Sequence, residues 1–421
     1  MTEHLTADVV IVGAGLVGLT AAIMLAQQQK SVVLVETKSA VNVDIKTLKN
    51  PPKYALKNKP KNKLKNKLEN ISTMWDTRVF ALTPSTQTWL ASMGVWQYVD
   101  ETRICAINTM QLWAKKNKQT LLLKDSDANI GKLGLIIENS QLMQALWQQL
   151  ASLDVTVVTD VACHSIENND EVIKLTLNNA NANAMTISAK LLIAADGVHS
   201  WVREQAKISV TTKDFNQTAV VANFKAEKPH GNIARQWFNQ HDVLALLPLP
   251  QQMVSLVWSV STEKANQLLA LMPADLAQCV LEQSEGVLGH LQMQGYAESF
   301  VLKQQTANHL MGNRLMLIGD AAHQIHPMAG QGVNLGFRDV IVLQQLTENM
   351  HSMMDIGDSS LLRQYARKRK ADIASMNMLT SGLDAFFATD KSWLNTLSYW
   401  GFKLLDKQAG LKKRLIQHAT A

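Results

Sequence analysis

The chain has 421 residues, of which 47% are apolar and 18% charged, so it can bury a sizeable core and is unlike a disordered or collagen-like protein. The formal net charge is +6, but residues 44–70 alone carry +7, which leaves −1 for the remainder. Because a nucleic-acid-binding fold spreads its basic residues over a folded surface, this local excess argues against that class of function.

The first predicted unit is a βαβ motif. Residues 8–12 form a β-branched run typical of a buried parallel strand, a glycine-rich turn follows, and residues 19–29 favour a helix. A second apolar run over residues 31–35 ends at an acid. Such glycines let a pyrophosphate approach the backbone at the helix start, and the acid can bind a ribose hydroxyl. This pattern predicts a dinucleotide site, for either FAD or NAD, formed by Gly13, Gly15, Gly18 and Glu36.

The next stretch, residues 44–70, is predicted to be a Lys/Asn-rich insertion loop. It contains nine Lys, five Asn and three Pro among its 27 residues and almost no aromatic side chains, so it cannot bury itself. Two interpretations stay open for this segment: a solvated loop without a partner, or a segment that binds anionic lipid headgroups.

The middle of the chain predicts both helices and strands. Helices are predicted over residues 85–93, 140–150 and 263–285. Strands are predicted over residues 173–177, 190–195 and 315–318. Apolar and polar residues alternate between residues 219 and 261, which indicates an antiparallel sheet with one covered face. A long helix is predicted to begin near Asn334, and the last 60 residues have a helical pattern.

Two short acidic motifs follow predicted strands. Asp196-Gly197 ends the strand over 190–195, and Gly319-Asp320 ends the strand over 315–318. Taken alone, either pair could be a simple turn. Glycine-rich residues 326–336 then lead into a helix start, whose amides favour negative charge such as that of a reduced flavin pyrimidine ring. This second region favours FAD over NAD.

These motifs resemble those of class A flavoprotein monooxygenases of the ubiquinone-biosynthesis hydroxylase family. The resemblance is carried by the glycine motif, the Asp-Gly motif over residues 195–203, Gly319-Asp320, and the stretch HPMAGQGVNLG over 326–336. Further matches lie at residues 78–82, 90–96, 138–140, 234–236 and 246–249 and in the C-terminal helices, so the likeness covers nearly the whole chain. Two features depart from the family pattern: the lysine-rich insertion, and Phe80 where a small residue is more frequent.

The resemblance implies an α/β fold in which an FAD-binding Rossmann-like domain is interleaved with an antiparallel-sheet substrate domain. The FAD-binding domain would use residues 1–82, 134–208 and 308–350. The substrate domain would use residues 83–133 and 209–307, and helices would form a C-terminal tail over residues 351–421.

The resemblance also implies the residues of a cofactor site. The four N-terminal residues named above would hold the adenosine half of FAD. Arg78 would lie near the FAD phosphates, and Asn139 stands where many relatives have a phosphate-facing arginine. Asp196 would brace a motif that serves FAD and the incoming nicotinamide nucleotide, and Gly319-Asp320 would bind the ribityl chain. Backbone amides facing the isoalloxazine O2 and N1 would come from Gly332, Val333 and Asn334.

The implied activity is hydroxylation of the aromatic ring of a polyprenylated phenol or benzoquinol in ubiquinone biosynthesis. FAD is the implied cofactor, O2 a substrate, and NAD(P)H a transient co-substrate, because no second glycine motif follows a strand. Since the flavin carries the chemistry, no catalytic side chain is predicted. His323 and His326 are interpreted as structural, and a general base at His326 is the alternative.

Two other functions stay open. One is a flavin oxidoreductase of the same fold with another substrate, such as an isoprenoid reductase, a small-aromatic hydroxylase or a halogenase. The residues around Trp258 do not match the WxWxIP motif of halogenases of this fold. The other is a non-catalytic subunit of a ubiquinone-biosynthesis complex, a role that would not need intact cofactor motifs.

The chain is expected in the cytoplasm, and no metal or nucleic-acid partner is expected. Its three cysteines, Cys105, Cys163 and Cys279, are far apart, and neither a signal peptide nor an apolar run of 18 residues occurs. Residues 393–414 place Trp and Leu near one predicted helix face together with several basic residues. Peripheral contact with a membrane and packing on the protein body are both open for this helix. A multi-enzyme assembly is a further expected partner.

Overall fold

The computed structural model describes residues 3–37, 75–114, 119–179, 184–239, 242–325, 332–351, 354–388 and 413. The predicted insertion over residues 44–70 and the loop over 326–331 lie outside the described residues. The predicted amphipathic helix over 393–414 also lies outside them, apart from Lys413.

Helices and strands alternate along the described chain. The helices are α1 (Leu16–Gln27), α2 (Pro84–Ser92), α3 (Asn139–Ala151), α4 (Trp201–Gln205), α5 (Thr262–Leu269), α6 (Pro273–Gln283), α7 (Gly332–Glu348) and α8 (Ser359–Ala388). The strands of the first half are β1 (Glu3–Val12), β2 (Val32–Glu36), β3 (Val79–Leu82), β4 (Cys105–Ile107), β5 (Thr109–Ala114), β6 (Gln119–Lys124), β7 (Gly134–Glu138), β8 (Val155–Thr159), β9 (Val161–Asn168) and β10 (Ile173–Asn179). Those of the second half are β11 (Ala184–Ala194), β12 (Val210–Ala226), β13 (Ile233–Asn239), β14 (Asp242–Pro248), β15 (Met253–Ser261), β16 (Leu291–Ala307), β17 (Met311–Gly312), β18 (Leu315–Leu317) and β19 (His323–Gln324).

The first sheet has a parallel centre in the order β18-β11-β1-β2-β8. The short strand β17 joins its edge in the antiparallel direction, and β9 and β10 extend it as an antiparallel pair beside β11. Val9, Val10 and Ile11 of β1 are completely buried, as expected for a central strand covered on both faces. This arrangement brings β1, β11 and β18, which lie far apart in sequence, side by side.

The second sheet has the order β19-β16-β12-β15-β14-β13-β5-β6. Its neighbouring strands are antiparallel, as predicted, except that β13 and β5 are parallel. Strand β5 comes from a much earlier part of the chain, so no hairpin turn fixes its direction relative to β13. Helices α5 and α6 bury one face of this sheet in a core that includes Phe224, Trp237, Leu256 and Val280. A third, small sheet has the order β3-β7-β4.

The prediction of one helical piece over residues 263–285 is wrong, because the structure contains two helices there. Helix α5 ends at Leu269, and α6 begins at Pro273. Proline has no backbone amide hydrogen and clashes with the preceding turn, so it begins a helix readily but interrupts the interior of one. Pro273 therefore separates the two helices.

The interleaved α/β architecture is confirmed, since strands of the first and second sheets alternate along the chain. The exact domain boundaries stay predictions. Helix α8 is the described part of the expected helical tail. Among the described helices, none combines the length and the apolar composition needed to span a bilayer.

Candidate cofactor-binding site

The glycine turn after β1 is packed directly against the Asp-Gly motif. Strand β1 pairs with β11, and this register places Gly13 beside Ala195. Gly13 has a φ of +106°, and a Cβ atom at this position would lie 2.3 Å from the Ala195 carbonyl oxygen. A Cβ atom at Gly18 would lie 2.0 Å from the Gly13 carbonyl oxygen. Glycine is required at both positions because backbone occupies the space of a side chain.

Gly15 differs from these two glycines because the described residues outside its own turn leave the space for a Cβ atom free. It is the N-cap residue of α1, with extended backbone, and a Cβ atom there would meet nothing within 4 Å. The first amides of a helix carry partial positive charge and favour an anion. The opening beside Gly15 therefore fits the pyrophosphate of a dinucleotide.

Two carboxylates border this opening. Glu36, at the end of β2, accepts a hydrogen bond from the Ala14 amide at 2.8 Å through Oε2. Asp196 accepts from the Val202 amide at 3.1 Å through Oδ2, and its buried Oδ1 has no hydrogen-bond partner among the described residues. Glu36 bonds to Ala14, the residue after Gly13, and a Cβ atom at Gly13 would lie 2.8 Å from the Asp196 amide nitrogen. Glu36 and Asp196 are thus brought together by the fold.

Arg203 connects the Asp-Gly motif with the Gly-Asp turn. Its buried guanidinium donates to the carbonyl of Val198 at 2.7 Å and to the carbonyl of Ala321 at 2.8 Å. Since Ala321 directly follows Asp320, one side chain holds the two motifs at a fixed separation. Arg203 is not among the predicted site residues. Its presence in the Asp-Gly stretch is visible in the sequence, but its partner 118 residues away is not.

Asp320 lies on the turn after β18, next to Gly319, which contacts α1. Its side chain is exposed, yet the surrounding protein displaces much of its water and raises its pKa, while the positive charges of Arg78 and His323 oppose this rise. Gly319 has a φ of +59°, and a Cβ atom there would lie 3.2 Å from Val17 of α1. An exposed but poorly hydrated carboxylate is suited to accept hydrogen bonds from a polyol.

We expect the Asp320→Asn variant to raise the melting temperature of the FAD-free protein while weakening FAD binding. A carboxylate whose pKa is raised on folding destabilises the native state as pH rises through that pKa, so at neutral pH the neutral amide removes this cost. Thermal unfolding at pH 7, with and without FAD, measures both effects. The matched control is Asp275→Asn at an exposed position of α6, for which little change is expected. A less stable FAD-free Asp320→Asn protein would contradict this explanation.

Arg78 and Asn139 meet on the other side of the opening. The Asn139 amide donates to the Arg78 carbonyl at 2.9 Å, and the Arg78 guanidinium lies 5.3 Å from the centroid of the Phe80 ring. The first turn of α3 is capped by Asp76, whose Oδ2 accepts from the Ser140 amide at 3.0 Å. Asp76 was not predicted, because it lies 64 residues before the helix that it caps.

The start of α7 converges on the same place. A Cβ atom at Gly336 would lie 2.6 Å from Val17 Cγ2 and 3.5 Å from the Gly319 Cα atom, so α7, α1 and the Gly-Asp turn are in close contact. The Asn334 side chain donates to the Ala81 carbonyl at 2.8 Å and accepts from the Thr83 amide at 3.2 Å. These two bonds fix the first turn of α7, which contains Gly332 and Val333, against β3 and α2. The sequence predicts only backbone contacts from this turn and does not indicate these two side-chain hydrogen bonds.

A buried ionic cluster around Asp339 supports the Gly-Asp turn from below. Asp339 accepts from the Gly319 amide at 2.7 Å, from His323 Nε2 at 2.8 Å and from Arg369 Nε at 2.6 Å. Burial alone would raise the pKa of Asp339, but the charges of His323 and Arg369 and these hydrogen bonds outweigh burial and lower it. The sequence contains one sign of this cluster. Asp339 lies four residues from both Leu335 and Leu343, which places an acid on the buried face of α7.

Most of the predicted site residues thus lie close together around the start of α1. Gly13 contacts the Asp-Gly motif, Glu36 accepts from the Ala14 amide, the Gly319-Asp320 turn and α7 contact Val17, and the positive charge of Arg78 acts on Asp320. This set of groups matches the chemistry of FAD. Helix starts favour anionic groups such as its pyrophosphate, and carboxylates accept hydrogen bonds from the hydroxyls of its ribose and ribityl chain.

Comparisons with known proteins agree with this geometry. The chain matches the family model described as FAD binding domain over residues 71–380, and a second model of the same description over 8–47. It is 31% identical over 419 residues to ubiquinone hydroxylase UbiL of Rhodospirillum rubrum, covering 98% of this chain and 89% of the relative. It is also 31% identical to 3-demethoxyubiquinol 3-hydroxylase of Escherichia coli over 349 residues, covering 82% and 87% of the two chains.

Solved structures show the same fold at lower identity. The p-nitrophenol 4-monooxygenase PnpA from Pseudomonas putida DLL-E4 superposes with a TM-score of 0.74 at 16% identity, covering 99% of this chain and 98% of the other. The likeness to the two ubiquinone-related enzymes extends over most of each chain and includes the FAD binding domain. The chain therefore belongs to the family of FAD-dependent ubiquinone-biosynthesis hydroxylases.

Proposed function

We propose that this protein hydroxylates the aromatic ring of a polyprenylated phenol or benzoquinol intermediate in ubiquinone biosynthesis, using FAD, NAD(P)H and O2. The observation that carries this proposal is the contact between the α1 start, the α7 start and the Gly319-Asp320 turn, since Cβ atoms at Gly319 and Gly336 would lie 3.2 Å and 2.6 Å from Val17 of α1. The names of two relatives support the proposed substrate class, since one is a ubiquinone hydroxylase and the other a demethoxyubiquinol hydroxylase.

The residues around the opening have separate roles in holding FAD. The pyrophosphate would lie at the amides of α1 beside Gly15, with Arg78 supplying positive charge. Glu36 would border the adenosine half, Asp196 would brace the motif that serves both FAD and the incoming nicotinamide nucleotide, and Asp320, held on its turn by Gly319, would bind the ribityl hydroxyls. The first turn of α7, from Gly332 through Val333 to Asn334, would donate amides to the pyrimidine edge of the flavin. Asn139 would contribute near the phosphates through its position at the start of α3.

FAD, when bound, accepts a hydride from NAD(P)H and activates O2, so that one oxygen atom enters the ring and the other leaves as water. The protein positions the cofactor and excludes water, and no side chain is proposed as a catalytic base. NAD(P)H is proposed as a transient visitor, because the sequence contains only one glycine motif preceded by a strand. The proposal places the enzyme in the cytoplasm, with peripheral contact to the membrane that holds its prenylated substrate and membership of a multi-enzyme assembly.

The decisive experiment uses the purified protein, a phenol with a short prenyl chain, and isotopically labelled O2. We expect bound flavin absorbance, NAD(P)H oxidation that the phenol stimulates, and a product that gains one labelled oxygen atom. The Asp320→Ala variant should lose this activity, whereas Asp275→Ala, at an exposed position of α6, should keep it. Conversion of the substrate without O2 consumption would instead indicate a reductase, and failure of the wild-type protein to bind FAD would overturn the proposal.

A further inference from the structure

The four residues Trp75, Asp76, Thr77 and Arg78, named here the 75–78 segment, lie between the small third sheet and the second sheet. The segment precedes β3 and has no regular secondary structure. It nevertheless contacts β7 and α3 on the cofactor side and β12 and β16 on the side of the second sheet. Contacts with these four elements, and not helix or strand hydrogen bonds of its own, therefore fix the position of the segment.

On the cofactor side, the backbone of Arg78 is fixed at both ends. Its amide donates to Asp76 Oδ1 at 2.9 Å, and its carbonyl accepts from the Asn139 amide at 2.9 Å. The Asp76 amide in turn donates to Glu138 Oε1 at 2.6 Å. These contacts leave the Arg78 side chain projecting from an immobilised backbone toward the region of Phe80 and Asp320.

Glu138 is a firm anchor because it belongs to a buried ion pair. Its carboxylate accepts from Arg103 Nε at 2.7 Å and from Arg103 Nη2 at 2.8 Å, and the Glu138 side chain is completely buried. The Arg103 guanidinium also lies 4.4 Å from the centroid of the Trp75 ring. One arginine therefore holds both Glu138 and the first residue of the 75–78 segment.

On the other side, two residues of the second sheet hold the same segment. Asn223 of β12 is completely buried and donates through Nδ2 to the carbonyls of Trp75 at 3.3 Å and of Asp76 at 3.0 Å. The Thr77 hydroxyl donates to Glu298 Oε2 of β16. Val220, Ala222 and Phe224 face the core under α5 and α6, so Asn223 lies on the opposite face of β12. The register between β12 and β16 shifts just before Asn223, and both Asn223 and Glu298 bond to the 75–78 segment.

We propose that Asn223, Glu298 and Thr77 are positioning residues that fix Arg78 for FAD, so that the second sheet sets the geometry of the cofactor site. This inference rests on the proposed contact between Arg78 and the FAD phosphates. A binding group needs support from its neighbours to within about 0.5 Å, and the contacts of Asn223 and Glu298 supply that support to the peptide just before Arg78. The sheet that would cover the substrate thereby acts on cofactor affinity through four consecutive residues.

The test is a thermodynamic cycle on FAD affinity, measured by titrating FAD into the FAD-free full-length protein. Thr77→Val has nearly the same shape but lacks the hydroxyl donor, and Glu298→Leu lacks the acceptor. We expect each to weaken FAD binding about tenfold, which is ~1.4 kcal/mol. Glu298→Gln keeps an acceptor oxygen for Thr77 and should stay within about twofold of wild type. Glu282→Leu, at an exposed position of α6, is the matched control and should leave the affinity unchanged.

The cycle with Arg78→Ala separates positioning from general destabilisation. If Thr77 acts through Arg78, Thr77→Val causes no further loss of FAD affinity in the Arg78→Ala background. An equal loss in both backgrounds, or no loss in either, overturns the inference. If wild type binds FAD but Arg78→Ala binds it equally well, this inference fails while the proposed function stands. If wild type does not bind FAD, the proposed function itself fails.

Discussion

The Gly15→Val variant is expected to lose FAD binding by about 100-fold or more, which is ~2.7 kcal/mol, while remaining folded. The extended backbone of Gly15 accommodates valine, and a Cβ atom there meets none of the described residues outside its own turn within 4 Å. The new side chain would therefore enter the space that we assign to a pyrophosphate at the start of α1. As an N-cap substitution it should lower the free energy of unfolding of the FAD-free protein by about 1 kcal/mol or less.

Gly13→Ala is the informative control for this prediction. Its Cβ atom would lie 2.3 Å from the Ala195 carbonyl oxygen, and its φ of +106° is unfavourable for alanine. We expect it to reduce the free energy of unfolding by about 2–4 kcal/mol even without FAD. Chemical denaturation and FAD titration of both variants measure these effects. Equal destabilisation of the FAD-free protein by the two substitutions would refute the assignment of the space beside Gly15 to a ligand.

The Asp339→Asn variant is expected to lose about 3–5 kcal/mol of stability, because it leaves buried positive charge without its partner. The substitution preserves shape but removes the charge that holds His323 and Arg369. FAD affinity should also fall, since the same carboxylate orients the Gly319 amide beside Asp320. The matched control is Asp214→Asn, in an exposed ion pair with Lys303 at 3.4 Å, which should change stability little.

The pH dependence of stability gives this prediction a second readout. The pKa of Asp339 is lowered from its ordinary value of 3.8 on folding, so its stabilising contribution is present above that value and is lost as the pH falls through the folded-state pKa. The difference in stability between wild type and Asp339→Asn should therefore be largest near neutral pH and shrink in acid. Urea denaturation at several pH values measures it, and a difference independent of pH down to strong acid would rule out the ionic explanation.

Features encoded by neighbouring residues were predictable from the sequence. The βαβ unit follows from a β-branched run, a glycine turn and an acid within 29 residues, and Gly13 and Gly18 are packed as such a turn requires. The break between α5 and α6 is also encoded locally, by Pro273, although the apolar pattern continues across it and by itself predicts one helix. Residues close together in the sequence thus predict the N-terminal part of the candidate site, and Pro273 indicates the break between the two helices.

Features built from distant residues could not be predicted in the same way. Asp76 caps a helix 64 residues later, and Asn223 donates to the carbonyl of Asp76 147 residues before it. Nothing near Asp76 in the sequence indicates either partner, since both contacts depend on how the sheets meet. The cluster around Asp339 similarly joins a turn, α7 and α8, and only the acid on a buried helix face could have been noticed.

The strand order of the first sheet has a consequence for how the enzyme is made in the cell. Strand β1 is neighboured by β11, which ends at Ala194, and β11 is neighboured by β18, which ends at Leu317. A ribosome must therefore translate about three quarters of the chain before the parallel centre of this sheet has all of its strands. The candidate cofactor site, which includes Asp320 on the turn after β18, is incomplete until the same point of translation, and the earlier strands of the sheet lack a neighbour until then.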